Sequence, residues 1–410
     1  MVGDIHVAHL FISFTLTLER LEMLRSLLFS LSCLACTVLS KPLPAYEEIT
    51  NDLHARQSTA PPGGQQEGRF TFYKMPTALS GICDLCLGPD GALWGVQMLV
   101  NQIMRLDPET GEVEEFPIPF SPGIGNITIP GLNNGIIQDR IALSCAIRPG
   151  ADGKIYSTNG LRNQLVQFDL GTRKFKLFQA PVNPAGNLFP FNDIFTDDNG
   201  MWMTQKTANL LQYFDYAQQD FTITLPLGVF VTSDGGVYGC EVLGNKIFEY
   251  IRETGEVKEY PLPTPLQGPA VNRAERDGFM YFSGFIGNSL GRINLQTKEI
   301  ELFPTGEPAA FGSVTAGPSA DGDVWMSFFT TTNGLLRFNR DEEINIVRFP
   351  NLFSSGSGPF GLLGAIGSLP VIGPVLQNIP PYLSISVEYG PGEAMWFGSY
   401  TRNAVGRYQI

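Results

Sequence analysis

The chain has 410 residues, of which 27 are basic and 40 acidic, giving a net charge of −13, with 43% apolar residues, 45 glycines and 30 prolines. Such a length buries a large core, and an acidic balance without any Lys/Arg cluster argues against nucleic acid and anionic membranes as partners. All three histidines, His6, His9 and His54, precede the first repeated segment, so any chemistry beyond them runs without imidazole.

Residues 23–40, MLRSLLFSLSCLACTVLS, combine one arginine, a short apolar run and small residues at Thr37 and Ser40. This is the pattern of a secretory signal peptide. The 22 residues before it have no place in such a signal, which suggests initiation at Met23 with an upstream extension. A signal anchor over Leu10–Leu39 is the alternative. It is opposed by Glu19, Arg20, Glu22 and Arg25, each costing roughly 2.5–3.5 kcal/mol near a bilayer centre. Residues 41–68, rich in Pro, Gly, Gln and Ser, read as a disordered leader, so a single domain is expected over 69–410.

A chain so addressed is secreted or lies in the lumen of the secretory pathway. Cys33 and Cys36 leave with the signal, and Cys83, Cys86, Cys145 and Cys240 remain, an even set that suits one disulfide. Cys83 and Cys86 have the spacing of a redox motif. Their strand-like context lacks the helix start that lowers a thiol pKa, which favours a structural role. The single sequon, Asn126-Ile127-Thr128, makes Asn126 the glycosylation site.

One pattern then recurs seven times: a β-rich run, an Asp-Gly-type turn, an aromatic, an Asn about seven residues on, and an apolar residue two beyond it. Asp90-Gly91 with Trp94, Asn101 and Ile103 is the first copy, and Gly392-Glu393 with Trp396, Asn403 and Val405 the last. Asp-Gly and Asn tolerate positive φ, while aromatic and branched residues suit a buried pleat, so each copy decodes as short antiparallel strands. Four strands per unit, radially repeated, is a β-propeller blade, and seven copies predict an all-β, seven-bladed propeller. The last copy stops after its third strand, whereas Arg69–Pro76 reproduces a fourth strand with no blade before it. The N-terminal segment is therefore expected to complete the last blade and remove an edge.

Two insertions, 120–142 and 351–383, fall between a fourth strand and the next first strand, on the face that also carries the second-to-third-strand loops. The second contains no charge, and it either folds over the channel mouth as a lid or meets a partner.

The segments Gly88–Trp94, Asn101–Pro119 and Asn245–Pro263 resemble the streptogramin lyase-like, or virginiamycin B lyase-like, propellers, and the resemblance covers Arg69–Ile410. It implies a seven-bladed propeller and a lyase ancestry with a catalytic His and Glu aided by magnesium. No His stands at the matching positions here, which are Cys83, Cys145, Asn192, Leu227, Ala270, Val314 and Ile385. A looser likeness is to secreted fungal propellers of natural-product clusters, including hetero-Diels-Alderases of tropolone-sesquiterpene pathways. It implies a secondary-metabolite substrate.

On this architecture two rings of residues face the ligand side: Cys83, Asp84, Cys145, Asn192, Asp193, Leu227, Ala270, Val314 and Ile385, then Gln97, Asn159, Gln205, Glu241, Gly284, Phe328 and Ser399. The first four blades supply most of the polar groups, so a small apolar natural product with one polar end is the expected guest. Asp84, Asp193 and Glu241 could form an acid–base set or an oxygen cage for magnesium or calcium, or cap neighbouring backbone amides. No resident cofactor is otherwise expected. Gln97, Asn159, Asn192 and Gln205 could polarise a ligand carbonyl or be ordinary rim residues. Cys83, Asp84, Phe328, Ser399 and, from the uncharged insertion, Phe360 and Leu362 are candidate substrate contacts. The four recurrent tryptophans read as core. Arg148, Arg162 and Arg273 are either anion contacts or solvated loop residues. Without imidazole, confinement remains: orienting two fragments in a dry pocket can offset ~7–11 kcal/mol of barrier. The functional expectation is thus a monomeric, secreted enzyme promoting a non-hydrolytic lyase or cyclisation step. A non-catalytic binding propeller and a lactone lyase using Glu241 are the alternatives.

Overall fold

The computed structural model describes residues 64–119, 145–160, 162–181, 193–205, 210–224, 229–307, 314–317, 322–329, 332–350 and 382–410. Expectations for residues 1–63, for the sequon Asn126, for Asn192, and for Phe360 and Leu362 lie outside the described residues, as do most of the two insertions.

Seven antiparallel sheets follow one another in chain order, so the fold is a seven-bladed β-propeller. In blade 1, Ile82–Leu87, Leu93–Gln97, Gln102–Leu106 and Val113–Pro117 pair in sequence. The first strands of neighbouring blades contact one another around the ring, except that the first strand of blade 5 meets the second strand of blade 4, which makes them the lining of the central channel. They are Ile82–Leu87, Ile147–Pro149, Ile194–Thr196, Phe230–Val231, Pro269–Arg276, Val314–Ala316 and Val387–Gly390.

The repeated residues have mechanical roles. In blade 1 the turn residue Asp90 accepts from Trp94 Nε1 at 2.9 Å and from Arg105 Nε at 2.7 Å, and Trp94 stands opposite Arg105 in register. The turn, the second strand and the third strand are thereby locked together. The tryptophans Trp94, Trp202, Trp325 and Trp396 are buried between blades, as expected. In several blades the recurrent Asn takes the left-handed conformation, with φ of 50° at Asn101, 53° at Asn163, 55° at Asn245 and 49° at Asn403. Asn tolerates that region because its short amide bonds locally. Here the amide also clamps the connection to the next blade: Asn101 Nδ2 donates to Ile118 O, Asn163 Nδ2 to Ala180 O and Asn245 Nδ2 to Thr264 O.

Among the described residues the core is divided into seven apolar clusters, each shared by two neighbouring blades. One joins Trp396 and Val405 of blade 7 to Ile82, Leu85 and Met104 of blade 1, so burial runs unbroken round the ring. Closure follows the sequence expectation, because Phe70–Lys74 pairs with Ala404–Gln409 as the fourth strand of blade 7. The sheet then gains a fifth strand. Gln65–Glu67, placed by sequence in the leader, pairs with Phe70–Phe72. It is held by Arg402, whose Nη1 and Nη2 reach the two Glu67 oxygens at 2.8 and 2.9 Å while the guanidinium lies 4.0 Å from the Phe72 ring centre. Composition could not show a clasp whose other half lies over 330 residues away.

Candidate functional site

Two first strands carry β-bulges. In blade 5, Asn272 pairs with Phe282 and Ala274 with Tyr281, so Arg273 is an extra residue. In blade 1, Ile82 pairs with Gln97 and Leu85 with Gly95, so the Cys83–Asp84 pair contains another. A bulge suspends strand alternation and re-aims a side chain. Both extra residues serve one cluster.

Arg273 donates from Nη1 to Asp84 Oδ1 at 2.9 Å, from Nη2 to Asp84 Oδ2 at 3.2 Å, and from Nη2 to Asp193 Oδ1. Blade 5 neighbours only blades 4 and 6, so an arginine that reaches blades 1 and 3 must cross the channel. Arg148 of blade 2 joins from the side, with Nη1 3.2 Å from Asp84 Oδ2 and 3.0 Å from Leu85 O. The side chains are 2% exposed at Asp84, 3% at Asp193, 8% at Arg148 and 9% at Arg273. Burial drives the Asp84 carboxyl up, but Arg148, Arg273 and the Ile147 amide outweigh it and hold the group below its ordinary range. Burial likewise opposes the Arg273 charge, and Asp193 and Asp84 restore it. The result is a layer of two cations and two anions, neutral in sum, that spans the channel.

Glu388, on the first strand of blade 7 and opposite Trp396, faces this layer. It is half-buried, and among the described residues its carboxyl has no hydrogen-bond or ion-pair partner. Enclosure by the channel wall raises its pKa, opposed by Arg148 and then Arg273, with Asp84 adding to the rise. Tyr400 lies in the second-to-third-strand loop of the same blade. Its hydroxyl approaches Met98 Sδ at 3.4 Å, and burial followed by the Asp84 charge keeps its proton on. On the same face, Leu79, Leu243 and Leu266 are 59%, 90% and 45% exposed. Among the described residues, these leucines give the rim its apolar part, above a polar floor.

The sequence-predicted residues divide. Asp84 and Asp193 meet at Arg273, whereas Glu241 sits apart in its own hairpin opposite Lys246; burial and then Glu259 raise its pKa. Gln97 donates to Glu115 Oε1 at 2.6 Å, and Asn159 donates to Asn101 Oδ1 at 3.1 Å, tying blade 2 to blade 1. Ser399 donates to Tyr382 O at 3.3 Å, and Phe328 is in the core between blades 5 and 6. Gln205 ends the second strand of blade 3, opposite Leu210. Cys83 forms a disulfide with Cys145, with Cα atoms 5.1 Å apart, joining the channel strands of blades 1 and 2. Cys86 and Cys240 are buried and stand outside the disulfide, and burial pushes the Cys86 thiol up, which leaves it inert. Arg148 and Arg273, read from sequence as anion contacts or loop residues, hold the floor together, and Glu388 and Tyr400 had no signal beyond their positions.

The metal suggested by the family resemblance does not fit this channel. Both Asp84 and Asp193 are paired with Arg273, so a dication would have to displace a buried guanidinium. Among the described residues no three His, Cys, Asp or Glu side chains gather as a metal site.

No family model matches the sequence, and no curated protein matches it. Solved structures do. A streptogramin B lyase superposes with a TM-score of 0.63 at 20% identity, over 82% of this chain and 96% of its own. The virginiamycin B lyase of Staphylococcus aureus gives 0.64 at 17% identity, over 83% of this chain and 99% of its own. The chain shares its fold with the streptogramin lyases. The WD40 repeats of RRP9 also superpose, with a TM-score of 0.55 at 10% identity over 85% of this chain and 99% of that one. Among the described residues no helix is long and apolar enough to cross a membrane.

Proposed function

We propose that the chain is a secreted enzyme of lyase or cyclase type, which takes a small, weakly charged organic molecule at the channel mouth and promotes a non-hydrolytic step there. The observation that carries this reading is the ion-pair floor under an apolar rim. Asp84, Arg148, Asp193 and Arg273 offer fixed dipoles to the polar end of a guest, and the exposed leucines above suit its apolar body. The fold shared with two lyases and the disulfide are compatible with it.

The test is to delete the gene from its source and compare the small molecules of the culture. The expected result is loss of one product and accumulation of a precursor that is isomeric or heavier by one water or alcohol. Unchanged metabolites overturn the reading. A non-catalytic binding propeller is the second reading, favoured by the engagement of Gln97, Asn159 and Ser399 in bonds to neighbouring chain segments. It predicts unchanged metabolites together with a stable macromolecular complex in gel filtration.

A further inference from the structure

Among the described residues, the channel contains one carboxyl that the fold does not use. Asp84 and Asp193 are spent on Arg273, Glu67 on Arg402, and Glu115 on Thr77 and Gln97. Glu388 is within the field of Arg148, Arg273 and Asp84, with Asp193 reaching it through Arg273 and the Cys86 thiol beside it on blade 1, yet it bonds to none of them. A carboxyl held among protein atoms, reached by solvent and left without a partner is costly unless it keeps its proton. No structural task offsets that cost.

Resting on the reading above, we propose that Glu388 is the proton donor of the channel, acting on the oxygen of an alcohol or ether whose carbon can bear positive charge, such as an allylic or benzylic centre. The Glu388 proton moves to the leaving oxygen, the C–O bond breaks with its electron pair going to oxygen, and water or an alcohol departs. The Glu388 carboxylate then takes a proton from the substrate cation, which becomes the unsaturated or cyclised product. Protons balance, no external oxidant, reductant or co-reactant is consumed, and the enzyme returns to its starting state. The upward direction of the Glu388 pKa is the one such an acid needs.

The test uses dicyclohexylcarbodiimide, which reacts with protonated carboxyls in apolar surroundings, on the full chain near neutral pH with peptide mass spectrometry. Labelling is expected at Glu388, falling as pH rises and absent in Glu388→Gln. Labelling that spares Glu388 overturns the proposal. A second measurement needs no label. A carboxyl with a raised folded pKa withdraws stability as pH rises above its unfolded value, so Glu388→Gln should melt with the wild type near pH 4 and above it at pH 8. A lower melting temperature for the variant at pH 8 refutes the raised pKa. In the deletion strain, Glu388→Gln should restore at least about 100-fold less product than the wild type, with Glu388→Asp between them. Full restoration by Glu388→Gln overturns the donor role. Labelling of Glu388 with unchanged metabolites on deletion fails the enzyme reading and the donor role together. A metabolite change without labelling removes Glu388 alone.

Discussion

Arg273→Met tests whether the channel floor is dry. The variant leaves Asp84 with Arg148 and the Ile147 amide, but strips Asp193 of its guanidinium, keeping only the Ile194 amide at 3.0 Å. With side chains 2–3% exposed at the two carboxylates, the loss is that of a buried pair broken on one side, about 3–5 kcal/mol. At roughly 0.7 kcal/mol/K of unfolding entropy for about 340 propeller residues, the melting temperature should fall by about 4–7 °C. The pH dependence is equally specific. Asp84 has a depressed pKa, so its contribution is present above the ordinary carboxylate value and is lost as pH falls through the folded one. Arg273 supplies part of that depression, so the gap between wild type and variant should narrow from pH 7 to pH 3. Calorimetry or circular dichroism across that range reads both effects. A shift under about 1 °C, or a gap independent of pH, would show that water screens these charges and that the channel is open at this level. Adding Asp193→Leu should recover part of the loss, because it removes the carboxylate left alone.

Three further outcomes follow from contacts outside the floor. Arg402→Ala removes both bonds to Glu67 and the stacking on Phe72 and Tyr382, so limited proteolysis should begin to cut at residues 64–69, and an unchanged cleavage map would refute the clasp. Reducing the Cys83–Cys145 bridge, with its sequence separation of 62, should cost about 4 kcal/mol by loop entropy, read as a lower melting temperature in reductant. Cys86→Ser should leave that difference intact. Asn403→Ala forfeits the bonds from Ser80 N and Oγ, both 2.8 Å, and a tolerated left-handed residue, so urea unfolding should show a loss of about 2–3 kcal/mol.

The ring was legible because its signals are local. A tight turn, carrying Asp in most copies and Gly392-Glu393 in the last, then an aromatic a few residues later and an Asn able to adopt positive φ recur along the chain, and the orphan strand at Arg69–Pro76 announces where the circle joins. The site was half legible for the same reason. Counting back from each turn finds Asp84 and Asp193, since both head their first strands. Their common partner lies in a blade adjacent to neither, and bulges place both Arg273 and Asp84 outside the two-residue period on which strand reading depends. Gln97, Asn159 and Ser399 were placed on the ligand face by position, but position does not reveal that Glu115, Asn101 and the Tyr382 carbonyl already hold them. Glu388, between Val387 and Tyr389, reads in sequence like any outward polar residue of an alternating strand.

The hybrid last sheet has a consequence for biosynthesis. Phe70–Lys74 leaves the ribosome well before its hydrogen-bonding neighbour, Ala404–Gln409, some 330 residues further along the chain. At about 5–20 residues per second the early strand waits roughly 20–70 s with an unsatisfied backbone edge. Cys83 and Cys145 emerge long before that wait ends, so an early covalent bond between the first two modules would keep the nascent chain partly organised until the closing strand arrives.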